Sequence, residues 1–108
     1  MDAQLRALAE PRRREILRLV WSQELPAGDI AARFAVTRPA ISQHLTVLKS
    51  AGLIEERRSG TRRLYRARQE RLAEVVADLQ SFWDEKLAAL KQAAEAEDRE
   101  ERARDERP

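Results

Sequence analysis

The segment from residue 37 to residue 68 constrains the fold most, because helix and turn signals follow one another there without a gap. Thr37 is a residue type that caps helix N-termini, and Pro39 falls in the first helical turn, where its missing N–H is not needed. Gly52 can take the left-handed conformation that ends a helix. The segment therefore predicts a helix between these signals, followed by a β-hairpin around a turn at residues 59–61.

Hydrophobic spacing gives this helix two different faces. Ile41, Leu45 and Leu48 recur at helical spacing, so we expect them to face the core and leave a polar outer face. Such a helix fits the major groove of DNA, and a basic hairpin contacts the phosphates beside it. The residues expected to contact DNA are Thr37, Arg38, Pro39, Ser42, Gln43, His44, Thr46, Lys49, Arg57, Arg58, Thr61, Arg62 and Arg63.

The charge distribution points to the same partner. The chain has a net charge of +2, whereas residues 37–68 contain eight arginines and lysines and two glutamates, a local charge of +6. The alternative is a solvated hairpin that happens to be rich in arginine. Because the basic stretch directly follows the polar-faced helix, the pattern favours contact with double-stranded DNA.

Helical patterns also precede this segment. The first predicted helix contains Leu5 and Leu8, and the second opens at Pro11, with residues 16, 17, 20 and 21 on its apolar side. Leu25 and Pro26 are expected to end the second helix and start a third, over residues 27–34, with a tight turn at residues 35–36. The third and fourth helices then form a helix-turn-helix unit. The predicted fold is mainly α with a small β-hairpin, in the order α-α-α-α-β-β-α.

A long helix is predicted from about Gln69, with an apolar stripe on one side. It is either a core helix folded back on its own domain or a surface that pairs with a second copy; the second is favoured, because the preceding domain is too small to cover the stripe. We expect a DNA-binding and dimerisation domain over residues 1–92 and a charged tail over 93–108, frayed or disordered. The stripe consists of Leu72, Val75, Val76, Leu79, Phe82, Trp83, Leu87 and Leu90.

Composition excludes several classes of function. The chain has no cysteine and one histidine, so it lacks thiolate metal sites and cysteine nucleophiles. Without a glycine-rich phosphate loop or any catalytic constellation, we do not expect an enzyme. No apolar run approaches the ~20 residues of a membrane span, and the N-terminus has no signal-peptide core, so a cytoplasmic protein without membrane contact is expected.

Two stretches together resemble a known family. ALAEPRRREILRLV, followed by DIAARFAVTRPAISQHLTVLKSAGLIEERRSGTRRLYR, is similar to the winged helix-turn-helix of ArsR-type bacterial transcriptional repressors, over most of residues 3–90. The resemblance implies a homodimer that binds a palindromic operator and releases it when a signal arrives. It also adds Leu5 and Leu8 of the first helix to the dimer interface. The alternative is a winged helix that binds protein instead of DNA, and the local charge of +6 argues against it.

The sequence departs from the metal-sensing members of that family. Pro26 and Gly28 stand where the resemblance would place two cysteines, and His44 is the only histidine. One imidazole does not make a zinc site without further ligands, so we expect no metal and no cofactor, with His44 contacting DNA or supporting packing. The releasing signal is then an unknown small molecule, a partner protein or a change in protein concentration.

Overall fold

The computed structural model describes residues 1–106 and divides into two units, Met1–Val75 and a second that begins at Val76. The elements in chain order are α1 (Asp2–Ala9), α2 (Pro11–Leu19), β1 (Leu25–Pro26), α3 (Ala27–Ala31), α4 (Arg38–Ser50), β2 (Ile54–Ser59), β3 (Arg62–Ala67) and α5 (Gln69–Asp105). The mainly helical fold with a β-hairpin is confirmed.

The core of the first unit forms where α1 to α4 and the sheet bury their apolar side chains. Ile16, Ile30, Ile41, Leu48 and Leu53 are completely inaccessible to solvent. The predicted inward face of α4 is thus confirmed, and its burial fixes which side of that helix is left outside.

Local signals set both ends of α4. The Thr37 hydroxyl accepts a hydrogen bond of 3.3 Å from a backbone N–H of the first turn. At the other end Gly52 has a φ of +75°. Its N–H donates to the Lys49 carbonyl over 2.9 Å, and the Leu53 N–H donates to the Leu48 carbonyl over 3.0 Å. These two bonds satisfy carbonyls that the end of a helix leaves open.

The sheet has one strand more than expected. β2 and β3 pair antiparallel, and the turn between them contains Gly60 at a φ of +64°. β1 then pairs with β3, placing Leu25 opposite Tyr65 and Pro26 opposite Leu64, which gives the strand order β1-β3-β2. The sequence predicts that residues 25 and 26 end one helix and start the next, so the predicted order of elements is corrected by one short strand.

The second and third helices are shorter than predicted. The Val20 carbonyl accepts a hydrogen bond of 2.9 Å from the Ala67 N–H of β3, so the chain leaves helical geometry after Leu19. Trp21, expected on the apolar side of α2, is therefore beyond the helix and 41% exposed. After α3 the N–H of Phe34 bonds to the carbonyl three residues back, which tightens the chain into the turn before α4.

Helix α5 continues beyond residue 92, where the predicted domain ends. It contains no glycine or proline, and its charged part includes an Asp98–Arg102 ion pair of 3.1 Å one turn apart. The expected tail is helical as far as Asp105, while the division at residue 92 stays a prediction. Residues 107 and 108 of that tail lie outside the described residues.

Candidate nucleic-acid interface

The outer face of α4 is polar and open to solvent. Ser42 and Gln43 are exposed one helical turn from the N-terminus, where side chains of a recognition helix reach base edges. The Thr46 hydroxyl donates a hydrogen bond of 2.9 Å to the Ser42 carbonyl, which leaves its oxygen as an acceptor for a partner. The exposed residues among those predicted on this helix and its cap are Thr37, Arg38, Pro39, Ser42, Gln43, Thr46 and Lys49. Their contact with DNA remains a prediction.

The hairpin of β2 and β3 forms the wing. The two strands pair in register from Ile54 opposite Ala67 to Ser59 opposite Arg62, and this pairing anchors the wing in the buried core at its base. The tip projects Arg57, Arg58, Thr61, Arg62 and Arg63, all of them exposed. The predicted wing residues therefore come together on one hairpin, with side chains accessible to a polyanion.

Two wing arginines have acidic partners from distant parts of the chain. Arg57 Nε lies 2.9 Å from a carboxylate oxygen of Glu24, and Arg62 Nη2 lies 3.7 Å from one of Asp29. Sequence reasoning missed both acids, because they precede the wing by about thirty residues and no local spacing relates them to it. The side chains of both arginines remain more than half exposed, and those of Glu24 and Asp29 are 29% and 59% exposed, so solvent screens both pairs.

A third acid, Glu56 of β2, links the wing to α4. The Lys49 ammonium donates a hydrogen bond of 2.8 Å to one oxygen of Glu56, and Arg63 Nε lies 3.4 Å from the other. The hydrogen bond from Lys49 holds the pKa of Glu56 below its ordinary value, although partial burial acts in the opposite direction. Glu56 is therefore ionised at neutral pH and joins two residues that were predicted to contact DNA.

His44 differs from the other predicted residues of α4, because it is half-buried and they are exposed. Its Nδ1 lies 3.5 Å from Nη1 of Arg13 on α2. That nitrogen can accept a hydrogen bond from the guanidinium only when it is unprotonated. The contact with Arg13 supports the packing role predicted for His44, while contact of His44 with DNA stays a prediction.

The predicted dimer residues fall into two groups. Leu72 and Val75 are buried in the core of the first unit, and Leu5 and Leu8 of α1 are half-buried. In the second unit Leu79 is half-buried, and the remaining stripe residues are between 48% and 65% exposed: Val76, Phe82, Trp83, Leu87 and Leu90. The start of the stripe thus belongs to the core of the first unit, as in the core-helix alternative, whereas five of the six stripe residues in the second unit are exposed.

Within residues 1–106, no three histidine or acidic side chains converge in the way that a metal site requires. In the same part of the chain no helix is long and apolar enough to cross a membrane.

Comparison with known proteins places this architecture in a family. The model of the bacterial regulatory protein family arsR matches residues 10–56. The chain is 40% identical over 96 residues to the HTH-type transcriptional regulator Rv2034 of Mycobacterium tuberculosis, which covers 89% of this chain and 90% of that protein. It is 42% identical over 60 residues to the transcriptional repressor SdpR of Bacillus subtilis, covering 56% of this chain and 67% of that protein.

Solved structures agree with this assignment. The homodimeric winged helix-turn-helix DNA-binding domain of a possible ArsR-family regulator from Mycobacterium bovis is 38% identical and has a TM-score of 0.63, with 78% of each chain covered. The wing and the helix-turn-helix described above are the parts that such a domain requires. The arsR family model matches this chain, and the likeness to the transcriptional regulator Rv2034 spans nearly the whole of both chains. This protein therefore belongs to the ArsR family of bacterial transcriptional regulators.

Proposed function

We propose that this protein is a transcriptional repressor that binds a palindromic operator in double-stranded DNA as a homodimer. One observation supports this most strongly: the exposed face of α4 lies directly beside the basic wing, with Lys49 of the helix and Arg63 of the wing on the same Glu56 carboxylate. A helix in the major groove and a hairpin on the adjacent backbone need this adjacency.

The two parts of the surface have different tasks in this proposal. Gln43 pairs bidentately with adenine and Arg38 with guanine, while Ser42 donates to or accepts from either base. The wing arginines contact phosphates, which supplies affinity without sequence information. The remaining predicted residues of α4, its cap and the wing position the DNA backbone: Thr37, Pro39, His44, Thr46, Lys49 and Thr61.

Dimerisation explains the exposed apolar part of α5. Phe82 and Trp83 pack edge to face with ring centroids 5.9 Å apart, and each is about half exposed. Aromatic side chains of this size supply much of the energy of protein interfaces. The related Mycobacterium bovis domain is homodimeric, which supports a dimer here. We assign the pairing to the last helix together with Leu5 and Leu8 of α1. A two-fold dimer matches a palindromic site.

Repression and release follow from the same arrangement. SdpR is named a transcriptional repressor, and a protein seated on an operator blocks access of other proteins to that DNA. We assign the chain no catalytic activity and no cofactor, and place it in the cytoplasm, where bacterial DNA lies. Release then depends on a small organic molecule, a partner protein or the protein concentration.

Selection from a randomised duplex library, followed by binding measurements at several salt concentrations, tests this function. We expect an enriched palindromic sequence and an affinity that falls steeply as salt rises, because bound phosphates release counterions. A random duplex of the same length should show a weaker affinity with a similar dependence on salt. Absence of any salt-dependent affinity for DNA contradicts the proposal and favours a winged helix that binds protein.

A further inference from the structure

The acidic side chain of Glu56 lies within the basic surface that is predicted to bind DNA, and its presence there requires a physical reason. Glu56 lies on β2 of the wing, and its side chain retains only 17% of its full exposure. A carboxylate at this place repels phosphate and lowers the electrostatic attraction of the wing. Its presence therefore opposes affinity for DNA, and its benefit must be of another kind.

The contacts of Glu56 indicate what that benefit is. One oxygen accepts a hydrogen bond of 2.8 Å from Lys49 of α4, and the other lies 3.4 Å from Nε of Arg63 on β3. The carboxylate thus joins the recognition helix α4 to the opposite strand of the wing. Both partners are long, flexible cations that sample many rotamers when nothing holds them.

Strand register places a further cation beside this carboxylate. Arg58 is directly opposite Arg63 in the antiparallel pair, so two side chains of like charge are direct cross-strand neighbours. Glu56 is two residues from Arg58 and therefore on the same face of the strand. One carboxylate among Lys49, Arg58 and Arg63 offsets this repulsion and still leaves the cluster positively charged.

The neighbouring acid provides a contrast within the same strand. Glu55 is exposed and, because side chains alternate along a strand, lies on the other face of β2. Within residues 1–106 its carboxylate takes part in no ion pair or hydrogen bond. The two glutamates have the same charge and adjacent positions, and they differ in whether they bridge the helix and the wing.

We propose that Glu56 is a positioning residue that determines specificity: it fixes Lys49 and Arg63 so that helix and wing meet the duplex at one relative spacing. This inference rests on the proposed function. A DNA site with base edges and phosphates in the matching register benefits from the fixed arrangement, because its two cations are ordered before binding. A random duplex, which needs only positive charge, gains nothing from it.

The test compares Glu56→Gln with Glu55→Gln as a control of equal charge. Affinity is measured for the duplex that wild-type protein enriches from a randomised library and for a random duplex of equal length. We expect the preference for the enriched duplex to fall to about one-tenth in Glu56→Gln, because two side chains lose their preorganisation. In Glu55→Gln the preference stays at the wild-type value. Random-duplex affinity does not fall in either variant, because each removes a negative charge.

A second background separates positioning from a general structural effect. If Glu56 acts through Lys49, Glu56→Gln reduces the preference much less in a Lys49→Gln protein, because the bridge is already broken there. Circular dichroism confirms that all variants remain folded. The inference is overturned if Glu55→Gln and Glu56→Gln prefer the enriched duplex equally. It is also overturned if Glu56→Gln reduces that preference equally in wild-type and Lys49→Gln protein. In both cases the proposed function stands. A wild-type protein that binds neither duplex overturns the proposed function, and this inference with it.

Discussion

Arg13 of α2 and His44 of α4 face each other, with the guanidinium Nη1 3.5 Å from the imidazole Nδ1. The same guanidinium donates to two carbonyls at the end of α1, that of Ala7 over 2.7 Å and that of Arg6 over 3.1 Å. A cation at the C-terminus of a helix also interacts favourably with its dipole. One side chain therefore fixes the end of α1 next to the helix that we expect to read DNA.

Arg13→Ala should destabilise the protein by about 1–3 kcal/mol, because the partly buried Ala7 carbonyl and the exposed Arg6 carbonyl lose charge-assisted hydrogen bonds. Urea unfolding followed by circular dichroism measures this. Arg18→Ala is the matched control, since Arg18 is an exposed arginine on the same helix with no hydrogen bond or ion pair from its side chain within residues 1–106. A loss as small as that of the control means that the Arg13 contacts do not persist in solution.

Gln43→Ala should weaken binding to the selected operator by about 1–3 kcal/mol and relax the preference at one base pair. Gln43 is exposed on α4, so its truncation disturbs no packing. Repeating the library selection with the variant measures the preference at every position. An unchanged set of enriched sequences removes Gln43 from the residues that contact bases.

Arg62→Ala should weaken binding to operator and random DNA alike and lower the salt slope by about one unit, because we expect this arginine to contact phosphate. A change in Asp29, the acid that pairs with Arg62, should have the opposite effect. Asp29 lies 3.7 Å from Arg62 and competes with phosphate for the guanidinium, so Asp29→Asn should raise both affinities. A salt slope that is the same in Arg62→Ala and wild type indicates that this arginine lies off the DNA.

Trp83→Glu should convert the dimer to monomers that keep their helical content and lose most operator binding, because a half-site alone is weakly held. Sedimentation velocity gives the oligomeric state. Ser81→Glu adds the same charge on the opposite side of α5 and should leave the dimer intact. An intact Trp83→Glu dimer contradicts the assignment of α5 to the interface.

The ion pairs of Glu56 should stabilise the fold at neutral pH and lose this effect in acid. The hydrogen bond from Lys49 holds the pKa of Glu56 below its ordinary value of 4.5. The lowered pKa therefore stabilises the folded state above that value, and the contribution disappears as the pH falls through the folded pKa. We expect the difference in unfolding free energy between wild type and Glu56→Gln to be constant at neutral pH and to shrink below pH 4.5. A difference independent of pH excludes this linkage.

Helix α4 was predictable because the information that defines it is local. The cap at Thr37, the inward spacing that begins at Ile41 and the glycine at position 52 all lie within its own segment. Strand β1 was not predictable in this way, since Leu25 and Pro26 become a strand only by pairing with residues 64 and 65. A two-residue strand has no periodicity to detect.

The candidate site likewise has a part that local sequence predicts and a part that depends on tertiary contacts. The exposed face of α4 and the basic wing follow from sequence spacing and charge, whereas the carboxylates that pair with the wing depend on tertiary contacts. Glu24 and Asp29 reach Arg57 and Arg62 only after the chain has folded. Glu56 appeared in the sequence as one negative charge subtracted from a basic stretch, and only the structure shows that it bridges Lys49 and Arg63.

The short strand β1 has a consequence for how copies of this protein associate. It forms one edge of the sheet, and Pro26, half of that edge, has no N–H to offer to an incoming strand. The strand on the other edge, β2, contains the charged run from Glu55 to Arg58, which discourages the approach of another chain. Both edges therefore oppose growth of the sheet by strand addition, which agrees with the proposed association through helices.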